Sequence, residues 1–327
     1  MAAILVPSLL EVLVLICLVS TCVSSKPTNK IKSLNVIKEL NRKGKYIGLI
    51  TVTATEENAF FATGAFMPHS KHPFVDLAGR RFFVGKVNAA ATTQQLLDHF
   101  DLKGIIHFGI AGNVNNSMSI GDVTIPKQFA DTGLWDWLNP NATWDPSSYV
   151  AELDFDNYNE PNFNGSNNLL GHLGYETVQF FSESGDPNTP QPLLWAQVSE
   201  DWLQVAATNL EGIELEQCVN SSLCLPEKPK LVVGLSGSTA NMFVDNAAYR
   251  DFLYKNFNVS SADMESSAVV MTSLSNGLPV IVIRGLSDLA GRQSGVNAYA
   301  TFGSLAARNT AKAVVQFINN IYSFSSS

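Results

Sequence analysis

The sequence has few basic side chains for its length. Lysine and arginine total 21 against 29 aspartates and glutamates among 327 residues, so the formal net charge is −8. No run of lysines and arginines offsets this balance. Because affinity for phosphate backbones comes mainly from Lys and Arg, we expect no nucleic acid among the partners. An apolar share of 46% is ample for a buried core and argues against a disordered chain.

Long apolar runs are also lacking, apart from one near the start. That run extends from Leu9 to Val19, with Glu11 inside it and neither Lys nor Arg before it. A short apolar core followed by the small residues of Ser20–Ser25 is typical of a secretory signal peptide, so we assign 1–25 to one. An uncleaved membrane anchor is the alternative, although the run is short for a bilayer span. We expect no stable membrane anchor, and entry into the secretory pathway with an extracellular or vacuolar destination.

Cysteine is scarce too, with four in the chain. Cys17 and Cys22 lie within the predicted signal peptide, which leaves Cys218 and Cys224 in a polar segment. An isolated pair in an oxidising compartment indicates one local disulfide. Because neither a histidine nor a second cysteine pair lies nearby, we expect no metal at this place.

Asparagines in glycosylation triplets are the next feature of a secreted chain. Five N-x-[ST] triplets occur, and they begin at Asn115, Asn141, Asn164, Asn220 and Asn258. Such triplets arise often by chance, but together with a signal peptide they predict a glycoprotein.

Apolar strands alternate with helical patterns from about residue 45 onwards. The segment Val280–Ile283 is apolar throughout, which is typical of a strand buried on both faces. The alternation predicts an α/β fold, a single three-layer α/β/α domain with a mostly parallel central sheet. We place this domain at 45–323, after a tail and helix at 26–44. A loop insertion is expected at about 134–170, where Asn, Asp, Pro and Trp are frequent and periodicity is weak.

Unusual residues follow four of the predicted strands. In sheets of this kind, ligands bind at the carboxyl ends of the strands. The four segments are His107–Gly112, Ser236–Val244, Asp263–Ala268 and Arg284–Asp288. Each has an ordinary explanation as well: a tight turn, a core phenylalanine, a helix-start carboxylate or an Asx turn. Considered singly, none of them decides the function.

Taken in order, these segments resemble the nucleoside phosphorylase and nucleosidase superfamily. That superfamily includes purine nucleoside phosphorylases and the methylthioadenosine/S-adenosylhomocysteine nucleosidases. The motifs that carry the resemblance are Ile47–Ile50, Phe108–Gly112, Ile120–Val123, Met264–Glu265 and Arg284–Asp288. The signal peptide, the insertion and the cysteine pair are more similar to the plant bark and vegetative storage protein branch. The resemblance implies the same α/β/α fold over most of the chain.

The resemblance also implies roles for individual residues. Asp288 matches the general acid that protonates or hydrogen-bonds purine N7. Glu265 matches the carboxylate that holds the ribose 2′ and 3′ hydroxyls, and Met264 packs beneath the sugar. Phe243 matches the purine-stacking position. The other residues that it places around the substrate are Ile110, Ala111, Gly112, Val244 and Ser287.

The half of the site that supplies the nucleophile departs from the family pattern. Phosphorylases carry Arg and a Ser or Thr around the glycine turn to bind phosphate, and here those positions are His107 and Ile110. Nucleosidases use a glutamate after the first strand to activate water. The simplest register puts Asn58 at that position, and a shift by one residue gives Glu57. We therefore take Asp288 and Glu57 as the candidate catalytic residues and expect phosphate to bind weakly.

These observations support two functions. Cleavage of the N-glycosidic bond of a purine-type nucleoside builds positive charge on the ribose and negative charge on the base, so an acid at the base and a carboxylate at the sugar suit it. The reaction would be that of a nucleosidase or of a phosphorylase. The alternative is a catalytically weak or inactive storage protein that retains a nucleoside pocket. Either way we expect a small-molecule nucleoside as partner, with phosphate as a second candidate, in a homo-oligomer that needs no cofactor.

Overall fold

The computed structural model describes residues 27–42, 45–77, 80–83, 93–143, 145–155, 170–182, 189–291 and 297–324. The predicted signal peptide, 1–25, and the triplet at Asn164 lie outside these residues. Within them, no helix combines the length and the apolar character that crossing a membrane requires.

Helices and strands alternate along most of the described chain. The helices are α1 (Pro27–Asn41), α2 (Ala54–Ala62), α3 (Thr93–His99), α4 (Glu200–Asn209), α5 (Ala247–Phe257), α6 (Ser266–Ser275) and α7 (Tyr299–Phe324). The strands are β1 (Tyr46–Ile50), β2 (Phe74–Leu77), β3 (Arg80–Phe83), β4 (Leu102–Asn113), β5 (Val123–Ile125), β6 (Gln128–Asp131), β7 (Trp135–Leu138), β8 (Ala151–Asp154), β9 (His172–Tyr175), β10 (Val178–Phe180), β11 (Gln191–Leu193), β12 (Trp195–Gln197), β13 (Cys218–Asn220), β14 (Leu223–Cys224), β15 (Leu231–Val233), β16 (Ser236–Thr239), β17 (Ser261–Asp263) and β18 (Val280–Leu289).

Nine of the described strands form the central sheet. Its path runs β12-β6-β16-β17-β4-β18-β5-β15, and β1 pairs with β4. The pairs β1/β4, β4/β18, β6/β16, β16/β17 and β5/β15 are parallel, whereas β6/β12, β4/β17 and β5/β18 are antiparallel. The sheet is therefore mixed and mostly parallel, and the predicted α/β class is confirmed.

Helices cover both faces of this sheet and enclose two cores. On one face, α2, α4 and α7 pack in a cluster with Ile281 and Ile283 of β18. On the other face, α1, α3 and α6 pack in a cluster with Val280 and Val282. Successive side chains of the apolar run in β18 thus point alternately into the two cores. The run lacks polar residues because both of its faces are buried. The long helix α7 presents buried residues at helical spacing: Ala307, Ala311, Val314, Ile318 and Ile321.

A bulge in β18 shapes the carboxyl end of the sheet. Leu286 of β18 pairs with Ala111 of β4, but the next pair is Asp288 with Gly112. Ser287 is therefore the extra residue of the bulged strand. A bulge changes the direction of the side chains next to it. Ser287 and Asp288 therefore do not follow the regular alternation of side chains between the two faces of the sheet.

The segment at 134–170 contains more regular structure than a loop. Strands β7, β8 and β9 form a three-stranded antiparallel sheet in the order β7-β9-β8. The inner residues Leu153, Leu173 and Tyr175 join a cluster with Phe252 and Val259. The prediction of a loop differs from this finding because such short strands, rich in Asp and Trp, carry a weak alternation.

Cys218 and Cys224 are joined by a disulfide, in agreement with the prediction. They lie on the paired strands β13 and β14. The hairpin is attached to α7 by Arg308, whose Nη2 donates to the carbonyl of Cys218 at 3.0 Å.

Candidate active site

A cavity of about 330 Å³ opens at the carboxyl ends of β1, β4, β17 and β18. This is where ligands bind in open α/β sheets. Its lining residues are Val52, Thr53, Glu56, Ile110, Ala111, Gly112, Phe243, Ala262, Asp263, Met264, Glu265, Ser287, Asp288 and Tyr299. A larger cleft of about 550 Å³ lies beside Ser199 and Pro279, at the amino end of β18, and is lined mostly by residues of α4.

Asp288 lies buried on one wall of the cavity, directly after the bulge. Its Oδ1 accepts a hydrogen bond from the Ser287 hydroxyl at 2.7 Å. Its Oδ2 has no hydrogen-bond partner among the described residues. Burial raises the pKa of Asp288 above its usual value, and the side chains of Ser287 and Asn297 oppose this only in part. A carboxyl group with a raised pKa beside a cavity is suited to act as a general acid.

Glu56 is a second carboxyl group that lines the cavity, and it lies in the first turn of α2. Thr53 caps this helix, and its backbone N–H donates to Oε2 of Glu56 at 2.8 Å. The Thr51 hydroxyl donates to the same oxygen at 2.7 Å. Oε1 accepts from the backbone N–H of Ile110 in β4 at 2.8 Å. Since a carboxylate oxygen accepts two hydrogen bonds, Oε1 retains the capacity to accept one more.

The surroundings of Glu56 favour its ionised form. Burial alone would raise its pKa, but the Arg284 guanidinium and the hydrogen bonds from Thr51, Ile110 and Thr53 outweigh burial and hold the pKa of Glu56 below its usual value. The cavity therefore holds two carboxyl groups whose pKa values are shifted in opposite directions, that of Glu56 downwards and that of Asp288 upwards.

Arg284 lies fully buried beneath the cavity floor. Its Nε donates to Oδ2 of Asp263 at 3.1 Å, and its Nη2 donates to Oε2 of Glu265 at 3.3 Å. Nη2 also contacts Nε2 of His107 at 2.6 Å. Nη1 has no hydrogen-bond partner among the described residues. The guanidinium is thus held by two of its nitrogens, and the third is left as an unused donor.

Asp263 and Glu265 differ in exposure although they lie two residues apart. Asp263 is buried at the end of β17, where its Oδ1 accepts from Thr239 and from the backbone N–H of Ser266. Glu265 is half-buried and borders the cavity, with 34% of its side chain exposed. Burial raises the pKa of Glu265, and Arg284 works in the opposite direction. Of the two carboxylates, Glu265 is the one that a ligand can reach.

Apolar side chains surround the mouth of the cavity. Val52, Phe243, Met264 and Tyr299 line it and are between 42% and 57% exposed. The rings of Phe243 and Tyr299 meet edge to face, with centroids 6.5 Å apart. An apolar rim above a polar floor is typical of a small-molecule site.

Most of the residues predicted for the site line this one cavity. They are Ile110, Ala111, Gly112, Phe243, Met264, Glu265, Ser287 and Asp288. Val244 does not line it and packs instead in the cluster with Tyr249 and Phe252. Glu57 does not line it either, and the neighbouring Glu56 occupies the place that Glu57 was expected to take. Asn58 is exposed.

Sequence reasoning missed Glu56 and left Arg284 without a role. A signal for Glu56 was present, since Thr53-x-x-Glu56 is the capping-box pattern that begins many helices. That pattern places the glutamate side chain back toward the preceding strand end. For Arg284 the signal is weaker, because only the tertiary structure shows that its charge is buried under the site.

The family model described as "Phosphorylase superfamily" matches residues 49–319. Bark storage protein A of Populus deltoides is 36% identical over 291 residues, which cover 84% of this chain and 88% of that protein. The 5′-methylthioadenosine/S-adenosylhomocysteine nucleosidase of Geobacillus sp. strain WCH70 is 24% identical over 239 residues, 73% of this chain and 78% of that protein.

Solved structures share the fold. Futalosine hydrolase of Helicobacter pylori strain 26695 superimposes with a TM-score of 0.56 at 15% identity, covering 85% of this chain and 99% of the other. The H. pylori 5′-methylthioadenosine/S-adenosylhomocysteine nucleosidase with butyl-thio-DADMe-Immucillin-A gives a TM-score of 0.55 at 15% identity, covering 84% and 98%. At this identity the likeness concerns the fold alone.

Proposed function

Because the chain belongs to the phosphorylase superfamily, we propose that it hydrolyses the N-glycosidic bond of a purine-type nucleoside. The observation that carries the proposal is that Glu56 and Asp288 line one cavity with pKa values shifted in opposite directions. A pair of carboxyl groups whose environments separate their pKa values is the arrangement that assigns a base and an acid.

Asp288 is the acid at the base. Its proton goes to purine N7 as the C1′–N9 bond breaks, so the electron pair of that bond leaves with a neutral base. The unpartnered Oδ2 of Asp288 supports this role, because a buried oxygen without a partner is ready to exchange a hydrogen bond with a ligand. Phe243, exposed at the rim, is suited to stack on the heterocycle.

Glu265 binds the sugar. Its half-buried carboxylate accepts from the 2′ and 3′ hydroxyls, and its negative charge stabilises the positive charge that develops at C1′. Met264 next to it offers an apolar surface, 42% exposed, on which the ribose packs.

Glu56 and Arg284 hold the attacking water. Oε1 of Glu56 and Nη1 of Arg284 both lie against Gly109, and each has hydrogen-bonding capacity to spare. A water between them donates to Oε1 and accepts from Nη1. Its oxygen forms the new bond to C1′, and its proton passes to Glu56. The products are the free sugar and the free base.

Water suits this site better than phosphate does. Three carboxylates, those of Glu56, Asp263 and Glu265, act on the single guanidinium of Arg284. A phosphate dianion would enter a region that already carries excess negative charge, and like charges in a site of low dielectric repel strongly. His107, which stands where phosphorylases carry an arginine, is buried, and its two ring nitrogens are engaged by Arg284 and by the carbonyl oxygen of Ile50, so it offers no donor to a phosphate.

The test is base release from a panel of purine nucleosides with 5′-hydroxyl and 5′-substituted sugars. We expect free ribose as product and equal rates with and without phosphate. Glu56→Gln and Asp288→Asn should each lower kcat by about a hundredfold or more. Glu57→Gln is the matched control and should behave like the native protein. Ribose 1-phosphate as product would make the protein a phosphorylase and overturn the proposal.

A storage role is the second candidate. It is supported by the 36% identity to bark storage protein A, which exceeds the identity to the bacterial nucleosidase. We propose for this role a secreted or vacuolar glycoprotein that retains the pocket. If the purified protein binds purine bases by calorimetry but releases none from any nucleoside in the panel, storage is the better explanation.

A further inference from the structure

His107 lies beneath Arg284 and is completely buried. Its Nε2 is 2.6 Å from Nη2 of Arg284, and its Nδ1 is 3.1 Å from the carbonyl oxygen of Ile50. A guanidinium only donates hydrogen bonds, and a carbonyl oxygen only accepts them. Nε2 must therefore be the acceptor toward Arg284, and Nδ1 must carry the proton. The two partners thus determine the tautomer of the imidazole.

The imidazole is neutral as well as oriented. Burial and the nearby Arg284 charge lower the pKa of His107 to about 3. The charged groups that act on it are Arg284, Asp263 and Glu56. Since protonation would place a second cation against Arg284, the neutral form persists at mildly acidic and neutral pH.

A neutral hydrogen-bond acceptor at position 107 has an advantage over a charged one. Asp263, Glu265 and Glu56 already supply negative charge around Arg284. A further carboxylate at 107 would add to the excess of negative charge around the guanidinium, whereas an imidazole nitrogen orients the guanidinium without adding charge. The Ser266 hydroxyl, which contacts Nε and Nη2 at 3.2 and 3.0 Å, completes the contacts on that side.

We infer that His107 is a positioning residue, which directs the free Nη1 of Arg284 at the nucleophile by holding Nη2. The inference rests on the proposed hydrolysis, because it assigns the water to Nη1 and Glu56. A planar guanidinium that is fixed at Nε and Nη2 has no freedom left at Nη1. Without the contact from His107, Glu265 and Ser266 would be left to hold Nη2, and the side chain could rotate toward either.

The first experiment does not depend on activity. Nitrogen-15 NMR of the histidine rings between pH 4.5 and 8 should show His107 as a neutral imidazole protonated at Nδ1, with no titration in this range. A ring that titrates near pH 6, or that carries its proton on Nε2, overturns the inference whatever the protein catalyses. Failure of the proposed function appears separately, as a native protein that releases no base.

The second experiment separates positioning from packing. His107→Phe keeps a ring of similar size but has no acceptor, and it should lower kcat on the order of tenfold to a hundredfold with KM nearly unchanged. The matched control is His172→Phe, which removes a buried histidine that pairs with Glu152 outside the cavity. That variant should lose stability and keep kcat. If both variants lower the melting temperature alike and neither changes kcat, His107 is a packing residue only.

A double-mutant cycle measures whether His107 acts through Arg284. Arg284→Lys keeps a positive charge near Asp263 but removes the planar guanidinium and its separate Nη1 and Nη2 donors. If His107 acts through Arg284, the effect of His107→Phe on kcat should vanish in the Arg284→Lys background, since coupled residues are not additive. Additive effects on kcat would contradict the inference.

Discussion

Arg284 lies against the bare Cα of Gly109, so close that a β-carbon at this position would clash with its Nη1 atom. The same β-carbon would lie 2.5 Å from Oε1 of Glu56. The absence of a side chain at 109 is what lets the buried guanidinium and the carboxylate approach each other at the place that we propose for the attacking water.

Gly109→Ala should therefore damage the nucleophile side of the site. We expect a loss of stability of about 1 to 3 kcal/mol from overpacking and a larger loss of kcat than of substrate affinity. Gly303→Ala in α7 is the control for stability, because a β-carbon there meets only ordinary contacts, with Tyr299 and Ile110 from 3.4 Å outwards, and helix propensity favours alanine. Thermal unfolding and steady-state kinetics of both variants check this. A Gly109→Ala protein with native kcat would contradict the placement of the water.

The rate of base release should have a bell-shaped dependence on pH. Hydrolysis needs Glu56 ionised and Asp288 protonated, the pKa of Glu56 is lowered, and the pKa of Asp288 is raised. The rate should fall on the acid side as Glu56 takes up a proton and on the alkaline side as Asp288 loses one.

Ser287→Ala tests which residue controls the alkaline limb. The Ser287 hydroxyl donates to Asp288 and lowers its pKa. Its removal should raise the pKa of Asp288 further and move the alkaline limb to higher pH. The control is Ser273→Ala, in which a buried hydroxyl of α6 bonded to the carbonyl of Val269 is lost away from the site. A limb that moves to lower pH, or that moves equally in both variants, would contradict the assignment of Asp288.

Asp288→Asn should stabilise the protein at neutral pH. The pKa of Asp288 is higher in the folded chain than in the unfolded chain, so its contribution to stability is complete below the unfolded pKa and is lost as pH rises through the folded pKa. Asparagine stays neutral and avoids that loss. The melting temperature of the variant should exceed that of the native protein at pH 7 and match it more closely at pH 4. An equal gain at both pH values would mean that ionisation of Asp288 is not the cause.

Glu265→Gln should reduce discrimination between sugars. A half-buried carboxylate that accepts from a 2′ hydroxyl is left unpaired when the hydroxyl is missing, so ribonucleosides should be preferred over 2′-deoxynucleosides by at least about tenfold. The amide that Glu265→Gln introduces accepts hydrogen bonds less strongly than the carboxylate, so the preference for ribonucleosides over 2′-deoxynucleosides should become smaller. Competition binding with paired ribo and deoxy ligands measures it. Equal binding of both sugars by the native protein would show that Glu265 does not hold the 2′ hydroxyl.

Glycans, where the chain passes through the secretory pathway, should avoid Asn115. Its amide donates to Ser260 at 3.1 Å, its Oδ1 accepts from Ser117, and the side chain is buried. Asn141, Asn220 and Asn258 are exposed and open to modification. Peptide mass spectrometry after enzymatic deglycosylation in heavy-oxygen water gives the occupancy of each triplet. A glycan on Asn115 of the folded protein would contradict this, since it has no room there.

Local patterns account for most of what could be predicted about the fold, and the resemblance to the superfamily supplied the roles of the site residues. Val280–Ile283 has the apolar run of a strand buried on both faces, and β18 has that environment. Gly109–Gly112 and Arg284–Asp288 were expected to follow two strands that end at one edge of the sheet. In the structure they are the carboxyl-terminal parts of the paired strands β4 and β18, and Gly112 and Asp288 line the cavity. The three-stranded sheet of the insertion was not expected, because its strands depend on one another rather than on local propensity.

The sequence by itself determined the α/β class, the disulfide and the set of motifs from which the site is built, since these follow from periodicity and from chain neighbours. The tertiary structure decided which glutamate of α2 faces the cavity: successive helical residues point about 100° apart, so only docking of the helix against β4 selects Glu56 over Glu57. It also decided the charge state of the site. Burial of Asp288, His107 and Arg284 depends on packing between distant segments, and that packing raises the pKa of Asp288 while the charge of Arg284 and the hydrogen bonds to Glu56 lower the pKa of Glu56.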